Sequence, residues 1–141
     1  MKTASFFTYF GVGRISIALS APRNMSGFAE YRKLNPSYKW FRSVDQVRYR
    51  ELYFSEILGK LDPKQTWDEL HELANGAEPV LLCWEKPPFT DSNWCHRSLV
   101  AEWFKTTLGE DVQEIILPPK KKVVTEKKQR MIQTDLFNHL I

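Results

Sequence analysis

Polar and apolar positions alternate most clearly at Arg14–Ser20 (RISIALS), the period-two pattern of a half-buried strand. Upstream, Thr3–Phe10 is rich in Phe, Tyr and Thr and predicts a further strand. Gly11-Val12-Gly13 separates the two, and Pro22 ends the second because it has no N–H for a ladder. Pro79–Trp84 (PVLLCW) is an unbroken apolar run, as expected of a strand buried on both faces. Val112–Leu117 reads as a last strand before Pro118-Pro119.

Between these runs the spacing becomes helical. Ser43-Val44-Asp45-Gln46 has the form of a capping box. It predicts a helix to about Leu58, with Val47, Phe54, Ile57 and Leu58 inward and Gly59 as its C-terminal cap. Asp62-Pro63 opens another, carrying Trp67, Leu70 and Ala74 and stopped by Gly76. Cys95–Leu108 reads as a third, with Leu99, Trp103 and Phe104 inward and Gly109 as its stop. Asn24–Arg42 has no clear period and contains Gly27 and Pro36. A connection that long in a small domain usually has a function.

Strands alternating with helices indicate an α/β domain with a mainly parallel sheet. The first two strands are joined too tightly for a crossover helix, which allows an antiparallel pair there. Sites in open α/β sheets form beyond the carboxyl ends of the strands. Those ends deliver Ser20, Ala21, Pro22 and Arg23 from one strand and Cys83, Trp84 and Glu85 from another.

With 141 residues, the chain has room for one domain, expected over 1–117, and a tail over 118–141. Hydrophobic residues at 43% and charged residues at 26% exclude collagen-like, low-complexity and wholly disordered chains. No apolar run is long enough to cross a bilayer, and MKTASFFTYF lacks a signal-peptide core. A cytoplasmic protein without a membrane partner is expected. Residues 1–60 carry ten Lys/Arg against four Asp/Glu, residues 61–119 four against eleven, and residues 120–141 six against two. Basic ends around an acidic middle suggest a polyanion partner such as nucleic acid, unless the fields cancel in space. In residues 31–50, Tyr31, Tyr38, Trp40 and Phe41 are interleaved with basic side chains, either for stacking on bases or for ordinary packing.

Two segments carry candidate chemistry: Cys83-Trp84-Glu85-Lys86 after a strand and Cys95-His96-Arg97 opening a helix. A thiol at a helix N-terminus meets unpaired N–H groups and the positive dipole end, both favouring thiolate. Cys95 is then the nucleophile, His96 the proton carrier and Glu85 the group that orients it. Arg97 and Arg23 would bind a phosphate or carboxylate, with Cys83 and Ser20 beside them. The plainer alternative makes Cys83 a small core hydrophobe. Zinc on Cys83, Cys95 and His96 would lack a fourth ligand, so no metal is expected, nor any cofactor. A disulfide between the cysteines is conceivable but ill-matched to a reducing compartment.

At these residues the chain resembles domain-of-unknown-function family 488. The resemblance lies in L-L-C-x-E-K at Leu81–Lys86, in Cys95-His96-Arg97-Ser98-Leu99-Val100-Ala101, and in Ser20-Ala21-Pro22-Arg23 after a strand. It covers about residues 3–117. It implies a Rossmann-like, three-layer α/β domain with helices on both faces and these residues grouped at one strand-end site. The chain departs from the family pattern at Gly11–Gly13 and in the longer loop 87–94.

The tail adds a second resemblance. Gln133-Thr134-Asp135-Leu136-Phe137 is similar to the pentapeptide by which bacterial replication and repair proteins dock on the DNA sliding clamp. Gln133, Asp135, Leu136 and Phe137 match it, while Thr134 stands where Leu is usual. Leu and Phe would fill an apolar cleft and the preceding lysines would lie near DNA. Alternatively Ile132, Leu136 and Leu140 form one stripe of an amphipathic helix. The leading expectation is a DNA-associated protein, a thiol-dependent enzyme acting on a nucleotide or nucleic acid and recruited to the clamp. The alternatives are a non-catalytic clamp adaptor or inhibitor, and a small-molecule thiol enzyme unrelated to nucleic acid.

Overall fold

A computed structural model describes residues 1–116; the tail expectations at Gln133, Asp135, Leu136 and Phe137 lie outside the described residues. Five short strands, β1 (Lys2–Ser5), β2 (Arg14–Ser16), β3 (Ala29–Glu30), β4 (Val80–Cys83) and β5 (Gln113–Glu114), form one sheet in the order β3-β2-β4-β1-β5. Every pairing is parallel, so the α/β expectation holds and the antiparallel pair does not form.

The reason lies in strand length. β1 and β2 are not neighbours but flank β4 on either side. The eight residues between them reach roughly 27 Å when extended, whereas a four-residue strand is only about 13 Å long. The chain therefore returns to the start of the sheet without a helix. Gly13 makes the return possible: its φ is +80°, and a Cβ there would collide with the Glu78 carbonyl oxygen. Its own carbonyl accepts the Val80 N–H at 2.8 Å, setting the start of β4.

Three helices follow the expected segments. α1 (Gln46–Leu52) continues through a π turn at Tyr53–Ile57 and a 3₁₀ turn at Leu58–Lys60. Its cap is Asp45, which accepts the Arg48 N–H at 2.9 Å; Ser43 instead bonds the Trp40 carbonyl. The capping box thus starts two residues late, and Val47, expected inside, is 69% exposed. Tyr49, Tyr53 and the expected Leu58 carry the buried side, with Phe54 and Ile57 half-buried against the same core. α2 (Pro63–Leu73) is capped by Asp62 with Pro63 at its first position. α3 (His96–Leu108) ends on Gly109 in the left-handed conformation.

Alternation along the strands divides the core in two. Ile15, Ile17 and Leu81 pack with Tyr49, Tyr53 and Leu58 of the α1 segment, with Leu70 of α2, and with Val100, Trp103 and Phe104 of α3. The opposite face presents Ala4, Val80 and Leu82 to Phe6, Tyr9, Ala21, Met25, Phe28 and Phe89, all from connecting segments. Among the described residues the helical layer therefore lies on one face. On the other, where a third layer is expected, loops cover the sheet. Among the described residues, no helix is long and apolar enough to cross a membrane.

Candidate functional site

β4 is central in the sheet, so its carboxyl end emerges between those of β1 and β2. Here Cys83 closes the strand, and the chain loops through Trp84–Trp94 to Cys95, the residue before α3. A cavity of about 540 Å³ opens at this place. Its floor is Cys83, Cys95 and His96, and its rim includes Ala18, Leu19 and Ser20 after β2 and Glu85 after β4. Phe41, Tyr49, Trp84 and Trp94 form aromatic walls, and Arg42 brings a cation. Trp94 meets Tyr49 edge-on at 4.7 Å, and Tyr49 meets Trp40 in the same way at 5.1 Å, which fixes that wall against the core.

Cys83 and Cys95 are bonded to each other through sulfur, across a separation of 12 residues. Both are buried, 5% and 4% exposed. The pairing set aside on compartment grounds is therefore formed, because the end of β4 and the start of α3 abut. Cys95 takes the N-cap position, yet its side chain makes no capping bond. The expected thiolate held by helix N–H groups is not the arrangement present.

His96 is buried against Tyr53, ring centroids 5.4 Å apart. Its Nε2 lies 2.8 Å from the Ile17 carbonyl oxygen, which can only accept, so Nε2 carries the proton and Nδ1 keeps a lone pair. Nδ1 stands 3.6 Å from Cys83 Sγ and 3.7 Å from Cys95 Sγ. Burial pushes the His96 pKa down to about 4, partly offset by the bond to Ile17. Glu85, expected to orient His96, instead places Oε1 3.6 Å from Cys83 Sγ; the orienting group is the backbone of Ile17, the residue just after β2.

Arg97 and Arg23 depart from expectation. Arg97 is fully buried, with Nε 3.0 Å and Nη2 2.8 Å from the two oxygens of Glu114. Nη2 also donates to the Glu85 carbonyl, and the guanidinium lies over the Phe89 ring at 4.8 Å. Its charge is answered inside the protein, so its effect is to position the Glu85 loop rather than to take an anion. Arg23 is exposed and lies off the cavity wall. Ser20 reaches the rim, where its carbonyl accepts from Trp84 Nε1 at 2.7 Å.

Arg42, Tyr49 and Trp94 are cavity residues that the sequence left outside the site, and Trp84, delivered there by the strand end, was given no role. Trp84 and Trp94 adjoin the two cysteines in the chain, which was a usable signal. Tyr49 and Arg42 reach the site only through the fold. Of the aromatics read as base-stacking candidates, Tyr31 and Trp40 belong to the core, Tyr38 is exposed and Phe41 lines the cavity. Compared with protein-family models, with curated proteins and with solved structures, the chain finds no match in any of the three.

Proposed function

We propose that the protein is a thiol-dependent enzyme that binds a nucleotide or nucleobase in this cavity and acts on it at Cys83, Cys95 and His96. The observation that carries the reading is the meeting of a sulfur pair, a histidine, four aromatic walls and Arg42 in one 540 Å³ hollow. Flat aromatic walls favour a planar ligand, and a single guanidinium favours one bearing phosphate or carboxylate. The volume suits a small molecule. The resemblance to domain-of-unknown-function family 488 supports a common site at these residues. Recruitment to DNA by a sliding clamp rests on Gln133-Thr134-Asp135-Leu136-Phe137 and the lysines before it.

The test uses the reduced full-length chain against nucleobases, nucleoside phosphates and short single-stranded oligonucleotides. Binding should quench tryptophan fluorescence, and mass spectrometry should detect conversion. Trp94→Ala should weaken binding roughly 5- to 150-fold, as losing about 1 to 3 kcal/mol of stacking requires. Cys95→Ser should abolish turnover while sparing binding. If none of these compounds binds the wild-type protein at millimolar concentration, the reading is wrong. Pull-down on a bacterial clamp, comparing wild type with the Leu136→Ala/Phe137→Ala double variant, tests the recruitment arm separately.

A further inference from the structure

We propose that, with both cysteines reduced, Cys83, Cys95 and His96 form a three-ligand zinc site whose fourth position opens on the cavity. The inference rests on the reading above in that it names what the sulfurs do at that same site: they hold a metal ion.

The donor atoms of the three residues lie within 4.8 Å of one another, and all three residues are buried. Tetrahedral zinc, with Zn–S of about 2.3 Å and Zn–N of about 2.05 Å, sets N···S edges of about 3.6 Å and an S···S edge of about 3.8 Å. The His96 Nδ1 distances of 3.6 Å and 3.7 Å already match. Only the sulfurs need to separate. Their Cα atoms stand 7.1 Å apart, wider than the usual 4.4 to 6.8 Å of disulfides, so the backbone has room for two side-by-side thiolates.

The tautomer is also fixed for ligation. Nε2 donates to the Ile17 carbonyl at 2.8 Å, which leaves Nδ1 bare and aimed at the sulfurs. Metal-bound histidines characteristically donate their other nitrogen to such a partner. Two thiolates and an imidazole select zinc-like ions over magnesium or calcium. Binding displaces one proton from each thiol and none from His96. Three protein ligands look insufficient for a structural site, which is why the sequence alone argues against metal. They are the complement of a catalytic one, whose remaining position takes water or substrate. Here that position faces the aromatic cavity, with the Glu85 carboxylate on its rim.

The experiment titrates the full-length protein with Co²⁺ and then Zn²⁺, anaerobically and with a phosphine reductant. One Co²⁺ per chain should bind with the intense visible bands of a four-coordinate site and a thiolate-to-cobalt transition, and Zn²⁺ should displace it. Cys83→Ser, Cys95→Ser and His96→Ala should each weaken binding on the order of a hundredfold or more. The oxidised wild-type protein is a control without substitution, and it should take up no cobalt. The proposal is overturned if reduced, folded wild type shows no such spectrum, or if the spectrum survives in Cys83→Ser. Metal uptake without any nucleotide binding would sink the functional reading alone. Nucleotide binding by reduced protein that shows no cobalt spectrum would sink the metal site alone.

Discussion

Arg97 has the largest side chain that is completely buried among the described residues, and its paired carboxylate, Glu114, is only 17% exposed. Breaking such a pair leaves one charge without its partner. Arg97→Met should cost about 3 to 5 kcal/mol, read as a lower urea midpoint at unchanged slope. Adding Glu114→Leu should recover much of it, and a single-variant cost below about 1 kcal/mol would show that the pair is dispensable. The sequence displayed the arginine but not its partner, since nothing local links residues 17 positions apart; it therefore passed for an anion ligand. Glu69 is a gentler case. Hydrogen bonds from Tyr31, Gln65 and Lys33 hold its carboxyl down at about 2. A lowered carboxyl pKa contributes stability that is present above its unfolded value and lost as pH falls from about 4.5 toward 2. Acid titrations of wild type and Glu69→Gln should differ in that window and run parallel above pH 5.

At the scale of elements, the caps separate what was legible from what was not. Asp62-Pro63 and Gly109 bound their helices where the sequence puts them, because each acts through its own backbone and nearest turn. Ser43 and Asp45 both had cap chemistry, and only the path of the preceding turn decides between them. Asp45→Ala should cost about 1 kcal/mol and Ser43→Ala under about 0.5 kcal/mol, measured by thermal unfolding. The reverse ranking would restore the earlier start. The π turn left no readable mark, yet Phe54, Ile57 and Leu58 still face the core as the spacing predicts, and only Val47, upstream of the turn, does not. Gly13→Ala should lower stability by about 2 kcal/mol or more, through both its positive φ and the collision with Glu78. At Gly76, where φ is +93° and no atom crowds an added Cβ, the same change should cost only about 1 kcal/mol.

For the molecule as a whole, strand–helix alternation revealed the parallel sheet; the rule that sites lie beyond strand ends pointed to Ser20, Cys83 and Glu85, and the helix start to Cys95 and His96, all of which line one opening. The layer count was not legible, because Met25 and Phe28, which cover the second face, lie in a segment without a period, and Phe6 lies in a predicted strand that, as β1, ends one residue before it. Nor was the role of Ile17, whose backbone rather than its side chain orients His96. The sheet's brevity has one last consequence. β3 and β5 contribute two residues each, so the ladder consists mainly of β1, β4 and β2. In deuterated solvent the amides of Leu81 and Leu82 should be protected longest, since only near-global opening exposes them. Of the cavity floor, Cys83 thus ends the strand expected to exchange slowest among the described residues, while Cys95 and His96 are carried by the start of α3.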